Sequence, residues 1–313
     1  MKSLAGYNLQ FLIRSKVFMN FLNGEFTVNL NGIDHWVKVE GIENRTIPLI
    51  IIHGGPGGNH YVFERTAGPL LSQTRTIIYY EQRGCGRSKK PESDEDYTIN
   101  HLISDFKELK RWLGAEKVDL LGYSFGGELA LEISSALPEE INQIILSAPS
   151  LMNTDIQKMI QITGFMSIAP PSLYKEISML HQEGMVLGDI YNNVWELVDP
   201  ETVDSLLFEN KKVAGRNREL WEESNMMNTG LMMNALTNNP LEVPLLFRLE
   251  ELKNQTIIIT GVFDRNTGIP ISKIIHKKLR NSSLVLFDKS AHFPDLEETG
   301  KFVEVIQNFL EAK

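Results

Sequence analysis

The fold is decided by one stretch, Val118-Asp119-Leu120-Leu121-Gly122-Tyr123-Ser124-Phe125-Gly126-Gly127-Glu128-Leu129-Ala130-Leu131. A largely apolar run delivers the chain into Gly-x-Ser-x-Gly, and a helical pattern starts at once behind it. Strand, sharp turn, helix is the context in which a serine hydroxyl stands proud of a sheet end as a nucleophile. The two flanking glycines leave room for a strained backbone at Ser124. The next amide, that of Phe125, opens the helix, where unpaired N–H groups and the dipole favour negative charge.

Working outward, residues 25–30 and 35–40 alternate in β fashion around Asn31-Gly32, a hairpin signal. Residues 48–53 and 76–80 are continuous apolar runs, expected of strands covered on both faces. Ile99, Leu102, Ile103, Phe106, Leu109 and Leu113 recur at helical spacing and stop at Gly114. Downstream lie strands over 141–146, 256–260 and 284–287, a helix over 271–279 and a final helix over 297–310. This alternation predicts an α/β fold, a mostly parallel eight-stranded sheet with helices on both faces.

Between 150 and 245 the rhythm changes to long helical patterns broken at Pro170-Pro171 and Asn238-Asn239-Pro240. This segment holds nine of the eleven methionines. Over 151–245 it carries 13 acidic against 6 basic residues, a net of −7 out of the chain's −9. The expected organisation is an N-terminal helical extension over 1–24, a core made of 25–149 and 246–313, and an inserted helical cap over 150–245.

A chain of 313 residues can bury one large core. Its acidic balance argues against nucleic acid, which needs clustered Lys and Arg. The single cysteine, Cys85, leaves no internal disulfide and suits a reducing compartment, so the expected location is cytoplasmic. No run of about 18 apolar residues is present, so no transmembrane segment is expected. The Phe-, Leu- and Ile-rich stretch over 1–22 is broken by Arg14 and Lys16, which spoils a signal-peptide core. It reads as a helix packed on the body or on the cap. A second reading makes Phe11, Phe18 and Phe21 a membrane-surface or dimer contact, and self-association through this stretch or the cap is the protein partner considered.

A serine hydroxyl needs a base, and the base needs an orienting acid. Asp264 stands just past the strand over 256–260, and His292 just past the strand over 284–287, in the chain order Ser, Asp, His. His53 is the rival base, but it ends an early strand on the wrong side of Ser124. The candidate catalytic residues are therefore Ser124, Asp264 and His292. His53-Gly54-Gly55-Pro56-Gly57-Gly58 lets a backbone amide approach a developing oxyanion, and the donors are assigned to the Phe125 and Gly55 amides. No Gly-Lys-Ser/Thr follows, so a phosphate loop is unlike it. The sequence shows no ligand-spaced His or Cys cluster, so neither metal nor cofactor is expected.

These residues resemble the α/β-hydrolase fold and, within it, the proline iminopeptidase group of serine peptidases. The resemblance rests on His53-Gly54-Gly55-Pro56-Gly57, on Glu81-Gln82-Arg83-Gly84-Cys85-Gly86-Arg87-Ser88 and on Gly122-Tyr123-Ser124-Phe125-Gly126-Gly127. It implies removal of an N-terminal proline, or another apolar residue, from short peptides, with the free amine held by glutamates on or near the cap. Two departures stand out. Glu81-Gln82 replaces the family's usual Asp-Gln, a mild change. Arg265 follows the aspartate where several members carry an amine-binding glutamate, and a cation there would repel a substrate ammonium. Glu222 and Glu223, after Trp221, are the substitute anchors, since some members have a Trp-Glu pair; a solvated helix face is the alternative for both. The resemblance places Cys85 near the active site as a structural residue.

The substrate expected is therefore a small peptide or amide with an apolar N-terminal residue. An esterase or lactonase for apolar acyl groups is the alternative, favoured by Arg265 and the methionine-rich cap. A non-enzymatic sensor of a small ligand is a third.

Overall fold

The computed structural model describes residues 22–226 and 231–312. The expected N-terminal helix falls on residues outside this range, and Gly24 already belongs to the first strand. Strands β1 (Gly24–Leu30) and β2 (Ile33–Glu40) meet at Asn31 and Gly32, with φ of 51° and 85°. Positive φ at both positions is what a two-residue hairpin requires. Then follow β3 (Leu49–Ile52), β4 (Ile77–Tyr80), β5 (Val118–Tyr123), β6 (Ile141–Ser147), β7 (Gln255–Gly261) and β8 (Ser282–Phe287). They form one sheet in the order β1-β2-β4-β3-β5-β6-β7-β8. β1–β2 and β2–β4 pair antiparallel, and every other pair is parallel.

The strand over Leu49–Ile52 is apolar throughout because both of its faces are covered. Ile50 and Ile52 point into a core shared with helices α1 (Ile99–Leu113), α2 (Phe125–Ala136) and α9 (Gly268–Lys278). Leu49 and Ile51 point the other way, onto Phe302 and Ile306 of α10 (Thr299–Glu311). The two-residue period of a strand thus feeds two separate cores from one run.

Between β6 and β7 the chain builds α3 (Asp155–Ile168), α4 (Pro171–Gln182), α5 (Leu187–Leu197), α6 (Pro200–Leu207), α7 (Lys211–Ser224) and α8 (Leu231–Asn238). This insertion has its own core, with Phe165, Ile177, Val194 and Leu206 fully buried. Among the described residues no helix is long and apolar enough to cross a membrane. The final helix expected over 297–310 is α10, which starts two residues later, after a break at Glu298. A short helix, Pro294–Glu297, precedes α10. The Glu298 carboxylate accepts from the Lys289 amide at 3.0 Å and the Ser290 hydroxyl at 2.6 Å, so this residue serves the preceding loop rather than one continuous helix.

The glycines around Ser124 are demanded by contact between backbones. A β-carbon on Gly122 would lie 2.1 Å from the Gly126 carbonyl oxygen, and one on Gly126 would lie 2.1 Å from that of Ile52. Neither neighbour is a side chain that can swing aside. Gly126→Ala is expected to destabilise the protein by about 2–4 kcal/mol in urea unfolding. Gly215→Ala, in exposed α7 with nothing within 4 Å, is the control and should gain about 0.5–1 kcal/mol.

Candidate active site

Ser124 occupies the junction of β5 and α2 with φ 55° and ψ −125°, a conformation L-residues rarely adopt. Its amide donates to the Ser147 carbonyl at 2.9 Å, and its own carbonyl accepts from Gly127 at 2.9 Å and Ser150 at 3.2 Å. These bonds hold a turn whose strain costs on the order of 1–3 kcal/mol. The serine is half-buried and borders a cavity of about 820 Å³ between the sheet's C-terminal edge and the helical insertion. Phe125 is the first residue of α2, so its amide has no acceptor within the helix. Gly54 and Gly55 border the same cavity, and a β-carbon on Gly54 would sit 3.0 Å from that of Ser124.

Asp264 and His292 arrive from the neighbouring strand ends, past β7 and β8. His292 Nδ1 lies 3.2 and 3.3 Å from the two Asp264 carboxylate oxygens. Burial alone would raise this carboxyl, but His292, the Asn266 amide and the Thr267 hydroxyl outweigh it and hold it down at about 2. Asp264 is thus a fixed anion under the imidazole. The His292 loop is tied to the insertion by Glu297, which accepts from the Ala291 amide at 2.6 Å and from the Glu209 and Asn210 amides at 2.9 and 2.7 Å. The His292 amide also donates to the Leu207 carbonyl at 3.0 Å.

His53, the rival base, is fully buried and bound up in the scaffold. Its Nε2 accepts from the Gln82 amide at 3.0 Å and its Nδ1 donates to the Gly54 carbonyl at 2.9 Å. Burial pushes its pKa down, so it stays a neutral brace for the glycine loop. Cys85 is buried in the main core, where burial pushes the thiol up.

The charged residues singled out in the sequence stand elsewhere. Arg265 turns away from the cavity, pairing with Glu209 at 3.0 Å and donating to the Phe263 carbonyl. Glu222 and Glu223 are exposed, and Glu223 lies 3.4 Å from Arg216. Trp221 does line the cavity. Residues one and two further along a helix are rotated by about 100° and 200°, so an inward tryptophan sends both glutamates outward. Of the described methionines in the insertion, Met152 and Met233 line the cavity, while Met159 and Met179 are exposed.

Asn266 and Asp295 are among the cavity residues not singled out in the sequence. Asn266 links Asp264 and His292, since its amide donates to Asp264 at 2.9 Å and its side chain meets His292 Nε2 at 3.1 Å. Asp295 is 5% exposed, and its Oδ1 has no hydrogen-bond partner among the described residues. Burial pushes its carboxyl up to about 7, against the opposing pull of its own backbone amide and His292. Its only sequence signal is an acid in a first helical turn behind Pro294, which ordinarily means favourable dipole contact and nothing more. No group of three or more His, Cys, Asp or Glu suited to a metal occurs among the described residues.

A serine on a strand-to-helix turn at the C-terminal edge of an eight-stranded sheet, with an aspartate and a histidine past the last two strands, is diagnostic. The chain has the α/β-hydrolase fold. A family profile described as alpha/beta hydrolase fold matches residues 47–177. The chain is 28% identical over 294 residues to a proline iminopeptidase of Saccharolobus solfataricus, covering 90% of each. It is 26% identical over 279 residues to one of Clostridium botulinum, covering 84% of this chain and 89% of that one. Coverage of 90% reaches into the helical insertion, where the sequence motifs showed no firm match. Among solved structures it is similar to a proline iminopeptidase-related protein from Thermus thermophilus, with a TM-score of 0.77 at 21% identity over 93% of this chain and 98% of that one. An esterase from Exiguobacterium antarcticum gives 0.66 at 20% identity, over 92% and 100%. These likenesses support a hydrolase that resembles the proline iminopeptidases.

The raised Asp295 carboxyl has a consequence for stability. An ordinary aspartate in the unfolded chain ionises near 4, whereas here the folded state keeps the proton to about 7. Its contribution is therefore full below about pH 4 and lost as pH rises through 7. Asp295→Asn should be near neutral at pH 4 and more stable than the parent by roughly 4 kcal/mol at pH 8, read from denaturant unfolding at both pH values.

Proposed function

We propose that this protein is a serine aminopeptidase of the proline-iminopeptidase type, releasing an N-terminal proline or another apolar residue from small peptides or amides. The observation that carries the choice is Asp295, a buried carboxylate bordering the cavity that Ser124 and His292 also border, whose Oδ1 has no hydrogen-bond partner among the described residues. A substrate ammonium would supply the missing partner, and its charge would favour the ionised carboxylate. Arg265, the cation that argued against an amine, is occupied by Glu209.

In this reading Ser124 Oγ attacks the carbonyl of the first residue and His292 Nε2 takes the hydroxyl proton. Asp264 keeps Nδ1–H oriented and stabilises the imidazolium. The Phe125 and Gly55 amides receive the oxyanion, each donor lowering the barrier by roughly 3–4 kcal/mol. His292 then passes its proton to the leaving amine. Water repeats the sequence on the acyl-enzyme and frees Ser124. The helical insertion acts as a cap, with Trp195, Trp221 and Met233 supplying an apolar wall for the side chain.

The esterase reading has one observation in its favour. With its carboxyl near 7, Asp295 is largely protonated in slightly acid conditions and then presents a neutral donor to an ester carbonyl. Paired substrates separate the two. Prolyl- and leucyl-arylamides with free amines should be cleaved, their N-acetyl forms should not, and Ser124→Ala should lower turnover by at least about 10⁴-fold. Asp295→Asn should raise KM for the free-amine substrates by about tenfold or more with a smaller change in kcat. A parent enzyme inert to every aminoacyl-arylamide but active on butyrate esters would overturn the peptidase assignment.

A further inference from the structure

A single line of hydrogen bonds runs from the helical insertion to the catalytic base. Trp195 Nε1, on α5, donates to Gln161 Oε1, on α3, at 3.0 Å. Gln161 Nε2 donates to Asn266 Oδ1 at 2.8 Å, and Asn266 Nδ2 meets His292 Nε2 at 3.1 Å. All four side chains border the cavity. The direction of the line is set at its far end, because an indole N–H donates and never accepts. Gln161 must therefore turn its oxygen to Trp195 and its amide nitrogen to Asn266. Asn266 in turn gives its oxygen to Gln161 and has only N–H left for His292. The ring nitrogen that faces it must carry the lone pair, which puts the histidine proton on Nδ1, against Asp264 at 3.2 Å. That is the tautomer able to take a proton from Ser124.

We propose that Trp195, Gln161 and Asn266 are positioning residues, a relay that fixes His292 as the Nε2 acceptor and keeps that nitrogen engaged until a substrate in the cavity draws Asn266 away. The inference rests on Ser124 and His292 being nucleophile and base. Only one lone pair is available on Nε2, and the Ser124 proton must land on it. With the cavity empty, Asn266 competes for that lone pair and the serine is held back. A substrate that takes over the hydrogen bonds of Gln161 or Trp195 loosens Asn266 and frees the base. Once the Oγ proton sits on Nε2, the Asn266 amide faces another N–H and turns aside. The device couples activation of the nucleophile to occupancy of the cavity.

The test is the rate at which a small alkyl fluorophosphonate labels Ser124 in substrate-free protein, together with the imidazole ¹⁵N spectrum of His292. Asn266→Ala should label about fivefold faster than the parent. Asn266→Asp, whose carboxylate accepts instead of donating, should label more slowly and move the His292 proton to Nε2 in the spectrum. A substitution that only disturbs the fold would slow both, so the opposite signs are what the relay requires. Trp195→Phe keeps an aromatic ring against Phe165, now 5.0 Å between centroids, and should accelerate labelling by a smaller factor than Asn266→Ala. Labelling of Asn266→Ala and Trp195→Phe at or below the parent rate would overturn the relay. Should Asn266→Ala fail to fold, Trp195→Phe and Gln161→Leu decide by the same criterion. A parent protein that labels normally while the variants do not respond sinks the relay alone. A parent that never labels sinks the hydrolase reading with it.

Discussion

The structure depends on how closely two backbones can approach at Gly122 and Gly126. Any β-carbon there would press to 2.1 Å against a carbonyl oxygen, so only glycine lets α2 start directly above the end of β5. That approach compels the turn between them to be one residue sharp and puts Ser124 at φ 55°. The strain is local, and the bonds that offset it reach to Ser147 on β6 and to Ser150 at the start of the insertion. The geometry at Ser124 is thereby linked to the sheet on one side and to the helical insertion on the other.

Buried and half-buried carboxylates do much of the remaining positioning by accepting hydrogen bonds in the loops. Asp264 accepts from Asn266 and Thr267 while facing His292. Glu297 joins the His292 loop to residues 209–210 of the insertion, and Glu298 holds the turn before His292. Glu128, in the first turn of α2, accepts from the Ser150 hydroxyl and the Met152 amide where the insertion begins. Burial raises its carboxyl to about 7. A carboxylate can satisfy several N–H groups at once, which suits it to loops that lack a ladder of their own. Asp295 Oδ1, by contrast, is enclosed and has no hydrogen-bond partner among the described residues.

Much of this architecture is legible in the sequence because its causes are local. A short, β-branched apolar run such as Leu49–Ile52 fits a strand covered on both faces, and Asn31-Gly32 can supply the two positive φ angles of a tight hairpin. Gly114 ends α1 in the left-handed conformation because its lack of a β-carbon permits it. The candidate nucleophile, acid and base could be picked out because each directly follows an apolar strand, and parallel strands bring their C-terminal ends to one edge.

What the sequence left undecided are properties of direction and of contact across distance. Whether Arg265 faces the cavity depended on Glu209, 56 residues away, and the fate of Glu222 and Glu223 depended on which side of α7 Trp221 occupies. Asp295 looks like any acid behind a helix-opening proline until tertiary packing removes it from water. The line from Trp195 through Gln161 and Asn266 joins two helices of the insertion to a loop of the core, over sequence separations of 34, 105 and 26 residues. Periodicity and spacing thus determined the sheet and the strand-to-helix turn that carries Ser124. Tertiary packing alone decided which charges that serine confronts, because side-chain orientation is set by neighbours that lie far apart along the chain.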